Sequence, residues 1–180
     1  MQSLLDLFIP LKQANDMSLF DTKHMKRALD AAIEAGQRGE VPVGAVLVHG
    51  PSDEIIAIAS NRVMELKDPS AHAELLAITK ACAKLNNERL VDCDLYVTLE
   101  PCPMCAQLIS FARIRRLYFA ASDEKGGGVE NGPHIFNAKT CHHKPQVYGG
   151  IMAEQSSKIL KNFFKSRRNP KKIKEDVKHG

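Results

Sequence analysis

Two short segments of this chain hold residue types that could build a metal-dependent hydrolytic centre: His72-Ala73-Glu74 and, later, Pro101-Cys102-Pro103-Met104-Cys105. Cys102 and Cys105 are three residues apart, so one helical turn presents both sulfurs on the same face, within reach of one ion. Two thiolates and an imidazole suit Zn²⁺, and three protein ligands leave the fourth position to water, as a catalytic rather than a structural site requires. Both segments read as helix starts. Free N–H groups and the dipole there favour thiolates and other anions. Side chains also lean toward a helix N-terminus, so His72 and Glu74 can both reach a point just beyond the tip. Glu74 fits a proton shuttle better than a ligand, because zinc lowers the pKa of its water toward ~7 and a neighbouring carboxylate can collect the proton.

Each piece alone has an ordinary explanation. A lone histidine is more often a capped or core residue, and a first-turn glutamate is most often held by the helix dipole. Glu74 lies four residues after Ser70, so a capping box does not account for it. A Cys-x-x-Cys pair has a redox rival. That rival explains neither His-x-Glu nor the prolines on both sides of Cys102.

Composition limits what can surround such a centre. The chain has 180 residues, 44% apolar and 26% charged, with 11 Gly and 9 Pro, as expected of one globular domain with a real core. The longest strand-like apolar runs, Val43–Val48 and Ile55–Ala59, are too short to span a bilayer. Met1–Phe20 carries Asp6 and Pro10 and lacks a basic lead-in, which makes a poor secretory signal. The 5 Cys are an odd number, which favours metal or redox chemistry over a disulfide framework. The expected setting is the cytoplasm, with no membrane partner. Residues 165–180 hold seven Lys or Arg against two acids, a net +5, leaving −1 for the rest of a chain whose total is +4. Such a tail attracts a polyanion, RNA above all, or is simply a solvated terminus.

The elements that must position the centre follow from periodicity. Residues 22–37 show a helical repeat at Met25, Ala28, Leu29, Ala32 and Ile33. Val43–Val48 and Ile55–Ser60 read as a hairpin across Gly50-Pro51-Ser52-Asp53. Asp68 as N-cap and Pro69 as first helical residue predict a helix running to Leu85. Strands are expected at Leu95–Leu99, Arg116–Ala121 and Gln146–Tyr148, and helices at about Cys102–Arg113 and Ala153–Arg167, with a short helix near His134–Ala138. This order implies one mixed sheet with helices on both faces. The domain is placed at residues 22–168, between an N-terminal extension, 1–21, and a basic tail, 169–180.

The pattern H-x-E…P-C-x-x-C is the published signature of zinc-dependent nucleobase deaminases. The likeness extends to Glu40-Val41-Pro42-Val43-Gly44-Ala45-Val46, Asn61-Arg62, Asp68-Pro69-Ser70-Ala71-His72, Tyr96-Val97-Thr98-Leu99-Glu100, Ala112-Arg113-Ile114, Asp123-Glu124-Lys125-Gly126-Gly127 and Phe163-Phe164-Lys165-Ser166-Arg167-Arg168. Over roughly Met25 to Arg168 the chain resembles the cytidine/deoxycytidylate deaminase superfamily and, within it, the bacterial tRNA-specific adenosine deaminases. The resemblance implies a cytidine-deaminase-like three-layer α/β/α sandwich with a five-stranded mixed sheet, and a homodimer. It implies hydrolytic deamination of adenosine to inosine at the wobble position of a tRNA anticodon, the anticodon loop being the RNA partner. It assigns one catalytic zinc per chain, with a bound water, to His72, Cys102 and Cys105, and proton transfer to Glu74.

Asn61 matches the family asparagine that bonds the purine; its amide can both donate and accept. Asp123, Lys125, Phe164 and Arg168 are the further candidates for substrate binding, Phe164 by stacking on a splayed base. Core packing is the ordinary role for Phe163, and Asp123 with Lys125 could instead stabilise their own loop. Cys82 and Cys93 read as packing residues, and Cys141-His142-His143 as loop. The chain departs from the family at Gly128-Val129-Glu130-Asn131-Gly132-Pro133, where Glu130 would repel phosphate if it faced RNA. Two other functions remain open: a deaminase of a free nucleobase or nucleoside (guanine, adenosine or cytidine), and a zinc-stabilised RNA-binding protein without turnover. Glu74 argues against the last, because a structural site has no use for an acid beside an open position.

Overall fold

Strict alternation along three adjacent strands sets the architecture. In the computed structural model, which describes residues 22–168, Ala45, Leu47, Leu95, Val97, Leu117 and Phe119 lie in one buried cluster, while Val46, Val48, Tyr96, Tyr118 and Ala120 lie in or against another. Successive strand side chains point to opposite faces, so each face takes its own apolar layer and each needs a cover. The elements are α1 (Lys23–Gln37), β1 (Gly44–His49), β2 (Glu54–Ser60), α2 (Val63–Leu66), α3 (Ala73–Leu85), β3 (Cys93–Leu99), α4 (Pro103–Phe111), β4 (Arg116–Ala121), a 3₁₀ turn (Ile135–Asn137), β5 (Gln146–Tyr148) and α5 (Ala153–Arg168). α3 and α4 cover the first face through Ala73, Ala77, Ala81, Ala106 and Ile109; α1 and α5 cover the second through Met25, Ala28, Leu29 and Ile159.

The sheet runs β2-β1-β3-β4-β5. The β2–β1 and β1–β3 pairs are antiparallel; β3–β4 and β4–β5 are parallel. This is the expected five-stranded mixed sheet in three layers. In-register pairing in the parallel half places Tyr96 opposite Tyr118 and Tyr118 opposite Tyr148. Their rings stack with centroids 4.5 and 4.9 Å apart. Among the described residues no helix is long and apolar enough to cross a membrane. The extension 1–21 and the tail 169–180 lie outside the described residues.

Two expectations need correction. The helix predicted to open at Asp68-Pro69 begins at Ala73, because Asp68 is committed elsewhere: its Oδ1 accepts the backbone N–H and the hydroxyl of Ser70 at 2.8 and 2.7 Å. This local side-chain turn competes with a helix start. The short helix α2 was not anticipated, since four residues carry no readable period. Ile33, the last residue of the apolar repeat read in α1, is 44% exposed, whereas Ala31 and Ala35, outside that repeat, are buried.

α1 lies close to the sheet because Gly44 has no side chain. A Cβ there would sit 2.0 Å from the carbonyl oxygen of Ala28 and 2.7 Å from the nitrogen of Ala32, both backbone atoms that cannot swing away. Gly44→Ala is therefore expected to destabilise the domain by about 1–3 kcal/mol or more, the range for overpacking. Thermal or urea unfolding checks it, and an unchanged midpoint would contradict the close approach.

Candidate metal centre

Two helix starts meet at one edge of the molecule. His72 and Cys102 are the N-cap residues of α3 and α4, both extended, with φ,ψ of −77°, 153° and −67°, 169°. N-caps usually spend their side chains on the first free N–H groups of the helix. Here neither side chain caps its own helix, so both are free for another task. Cys105 lies in the first turn of α4, buried completely. Pro103 opens that helix without penalty, since an N–H at this position has no intrahelical partner.

The donors converge. His72 Nδ1 lies 3.7 Å from Cys102 Sγ and 3.6 Å from Cys105 Sγ, and the three ligand atoms all lie within 4.8 Å of one another. Zinc bonds of about 2.3 Å to sulfur and about 2.0 Å to nitrogen at a tetrahedral angle would set nitrogen and sulfur about 3.5 Å apart. The donor set fits Zn²⁺ in both chemistry and spacing. The Cys105 thiol bonded to Cys102 holds the Cys102 pKa down to about 4, and that same bond, with burial, pushes Cys105 up. Contact with Cys102 in turn raises His72. A divalent cation bound here would take both sulfurs as thiolates.

A cavity of about 610 Å³ opens beside these donors, and four carboxylates reach it: Glu40, Glu74, Glu100 and Asp123. Three are committed to the backbone. Glu40 accepts the N–H groups of Met64 at 3.2 Å and Glu65 at 2.9 Å, anchoring α2 at the rim. Asp123 Oδ1 accepts those of Lys125 at 3.1 Å and Gly126 at 2.9 Å. Glu100 accepts from Asp123, Val129, Glu130 and Asn131; burial would raise its pKa, but these N–H groups outweigh that and hold it low. Glu74 is the exception. It is 3% exposed, and burial pushes it up to about 7, opposed only in part by its own N–H and by the Cys105 thiol. A carboxyl held there is poised to gain and lose a proton near neutrality.

Asn61 lies just past β2 on the cavity wall, 7% exposed. Its Oδ1 accepts the N–H of Ala73 at 2.9 Å and so caps α3 from outside, in place of His72. That bond uses one of the two lone pairs on the amide oxygen and leaves the NH₂ end for a ligand.

Of the other candidates, Asp123 and Phe164 reach the cavity. Lys125 and Arg168 do not: both are exposed, and Arg168 is the last residue of α5. Phe163, expected in the core, is half-buried on the cavity wall, edge-on to Phe164 with centroids 5.4 Å apart. Arg167 also lines the cavity. Its guanidinium lies 5.2 Å over the Phe163 ring and donates to the Gly39 carbonyl at 2.5 Å, strapping α5 to the segment after α1. Glu130 is not in the wall; its carboxylate lies by Gly149. Cys141 and His143 are tied to Ser110 and to the Ile114 carbonyl, away from the metal donors. Sequence reasoning missed Glu40 and Glu100, whose partners lie 22 to 31 residues distant.

Comparison with known proteins agrees with this geometry. The model of the cytidine and deoxycytidylate deaminase zinc-binding region matches residues 19–121. A tRNA-specific adenosine deaminase of Agrobacterium fabrum is 54% identical over 147 residues, 82% of this chain and 95% of the relative. A structure from a study of A-to-I editing by tRNA:A34 deaminases at the wobble position of transfer RNA superposes with a TM-score of 0.76 at 54% identity, covering 78% of this chain and all of that one. A guanine deaminase of Bacillus subtilis gives a TM-score of 0.54 at 42% identity, over 58% of this chain and 66% of its own. With more than half its length matched by the family model and a relative of this identity aligned almost end to end, the chain belongs to the cytidine and deoxycytidylate deaminase zinc-binding family.

Proposed function

We propose that this chain is a zinc-dependent aminohydrolase that converts adenosine to inosine at the wobble position of a tRNA anticodon. The observation that carries the chemistry is Glu74, a carboxyl buried beside three metal donors in the lining of a cavity. The names of relatives that this chain spans nearly whole support the choice of substrate. His72, Cys102 and Cys105 would hold one zinc per chain and leave room for a bound water. When bound, the ion supplies a Lewis acid that brings the pKa of that water near ~7.

Glu74 then moves two protons. It takes one from the attacking water and gives it to the ring nitrogen next to the carbon under attack. It takes a second from the new hydroxyl and gives it to the departing amine. One C–O bond forms, one C–N bond breaks, and ammonia leaves. A carboxyl whose pKa lies close to working pH is suited to both directions of transfer. Asn61 donates to an acceptor on the base through its free NH₂ end. Phe164, 43% exposed at the rim, stacks on a base drawn out of the anticodon loop. Asp123 shapes the wall beside it, while Lys125 and Arg168, outside the cavity, meet the RNA backbone. A homodimer in the cytoplasm completes the reading.

The guanine deaminase reading has one observation behind it, the shared fold and partial identity with the Bacillus subtilis enzyme. Glu130 does not add to it, since that carboxylate is turned from the cavity. Incubating the protein separately with an anticodon stem-loop, adenosine, cytidine and guanine decides between them. Inosine in the stem-loop with release of ammonia is expected, and release from guanine alone would overturn the tRNA assignment. Glu74→Ala should keep its zinc and lose turnover by about 10²–10⁴-fold. Metal analysis alongside single-turnover rates checks this, and retained activity removes the proton role. Purified protein should contain one zinc per chain. Its removal by a chelator should abolish deamination, and added Zn²⁺ should restore it.

A further inference from the structure

Glu100 closes β3 two residues before Cys102 and is only 2% exposed. Six donors surround its two oxygens. Oε1 accepts the backbone N–H groups of Val129, Glu130 and Asn131 at 3.2, 2.8 and 2.9 Å. Oε2 accepts the N–H of Asp123 at 3.0 Å, the Asn131 side-chain amide at 2.6 Å and the Ser122 hydroxyl at 3.3 Å. Successive N–H groups turned inward form an anion-binding nest. Here the chain's own carboxylate fills it, which leaves no lone pair for a substrate.

The loop so gathered is pressed onto the turn that carries a metal donor. Gly128 donates to the Pro101 carbonyl at 2.8 Å. A Cβ at Gly128 would lie 2.6 Å from the Pro103 nitrogen, and one at Gly127 would lie 2.5 Å from Glu100 Oε1. The same loop carries Asp123 and Gly126 to the cavity wall. We propose that Glu100 is a positioning residue for the reaction: with both side-chain oxygens as acceptors it locks residues 122–131 to the Cys102 turn and so fixes the substrate-side wall against the reacting centre. The proposal rests on the deaminase reading and adds a residue to it.

A charge role and a space-filling role differ in sign when the partner is changed. Glu100→Gln keeps the volume but turns N–H groups toward Asp123 and Asn131. Asn131→Asp sets a second carboxylate against the first. Combined, the two changes restore a donor–acceptor pair. On the zinc-loaded protein, each single variant should raise KM for the stem-loop about tenfold or more, the scale of a lost bond to a charged group, with a smaller change in kcat. Zinc per chain should not change, and amide hydrogen exchange at residues 123 and 129–131 should accelerate. The double variant should outperform Asn131→Asp alone. Unchanged exchange and KM in the single variants, a double variant worse than both, or loss of zinc from Glu100→Gln would each overturn the proposal. If Glu100→Gln does not fold, Asn131→Ala should accelerate exchange at residue 123 and raise KM less steeply; no change there also overturns it. Exchange and metal content are read without any substrate, so a wild-type protein inactive on RNA would refute the tRNA assignment while these arms still judged the loop.

Discussion

A metal centre of one imidazole and two sulfurs depends on bringing atoms from distant segments to within a bond length of one point, and only rigid backbone at both segments can do so. In this fold the rigidity comes from two helix starts pressed on one face of the sheet. α3 is held by a small-residue stripe, Ala73, Ala77 and Ala81, and α4 by Ala106 and Ile109, all buried. Small side chains let helix and strand backbones approach closely and leave little slack. The arrangement costs each helix its ordinary cap, because His72 and Cys102 turn their side chains away from their own N–H groups. Asn61 makes good part of that loss at Ala73. A residue of the cavity wall is thus also one that holds the helix of His72 in place.

Burying acids near such a centre raises a second problem. A carboxylate out of water is costly unless donors replace its hydration. Glu40 and Glu100 receive those donors from backbone segments on two different rims, and Asp123 from its own loop. Their charges are spent on shaping the walls. Glu74 receives much less, and burial pushes it up to about 7. Four acids of similar type around one cavity thus differ in how many N–H groups each one meets.

The sequence made the donors legible because metal chemistry is written in residue types and short spacings, and it made the sheet legible because alternation at Ala45–Val48 and Leu95–Val97 has a period of two. It misled at Asp68-Pro69, where a helix-start signal and a side-chain turn look alike over so few residues; the turn won because Ser70 offers Asp68 two donors. Lys125 and Arg168 stand outside the cavity, and sequence alone does not place them, since a basic residue beside a motif has no marked direction. Glu100 was quoted as part of a pattern and given no role. Its partners are backbone N–H groups of a loop far along the chain, and backbone groups leave no trace in residue identity.

The three layers also divide the work of the cavity. Its floor, with His72, Glu74 and Cys102, belongs to the α3/α4 layer. Its outer wall takes Phe163, Phe164 and Arg167 from α5 and Gly39 from the segment after α1, which belong to the opposite layer. The Arg167 bond to Gly39 joins the two parts of that wall, and the left-handed φ of +87° at Gly39, with Arg167 Nη2 only 2.8 Å from where a Cβ would lie, leaves glycine as the residue that fits. Side chains on α5 can therefore change what enters without moving the donors, because the sheet lies between them. The loop gathered by Glu100 is the exception, since it lies against the Cys102 turn while lining the cavity. Recognition and chemistry are mechanically joined there, and a change of substrate that alters this loop must respect the geometry of the metal turn beneath it.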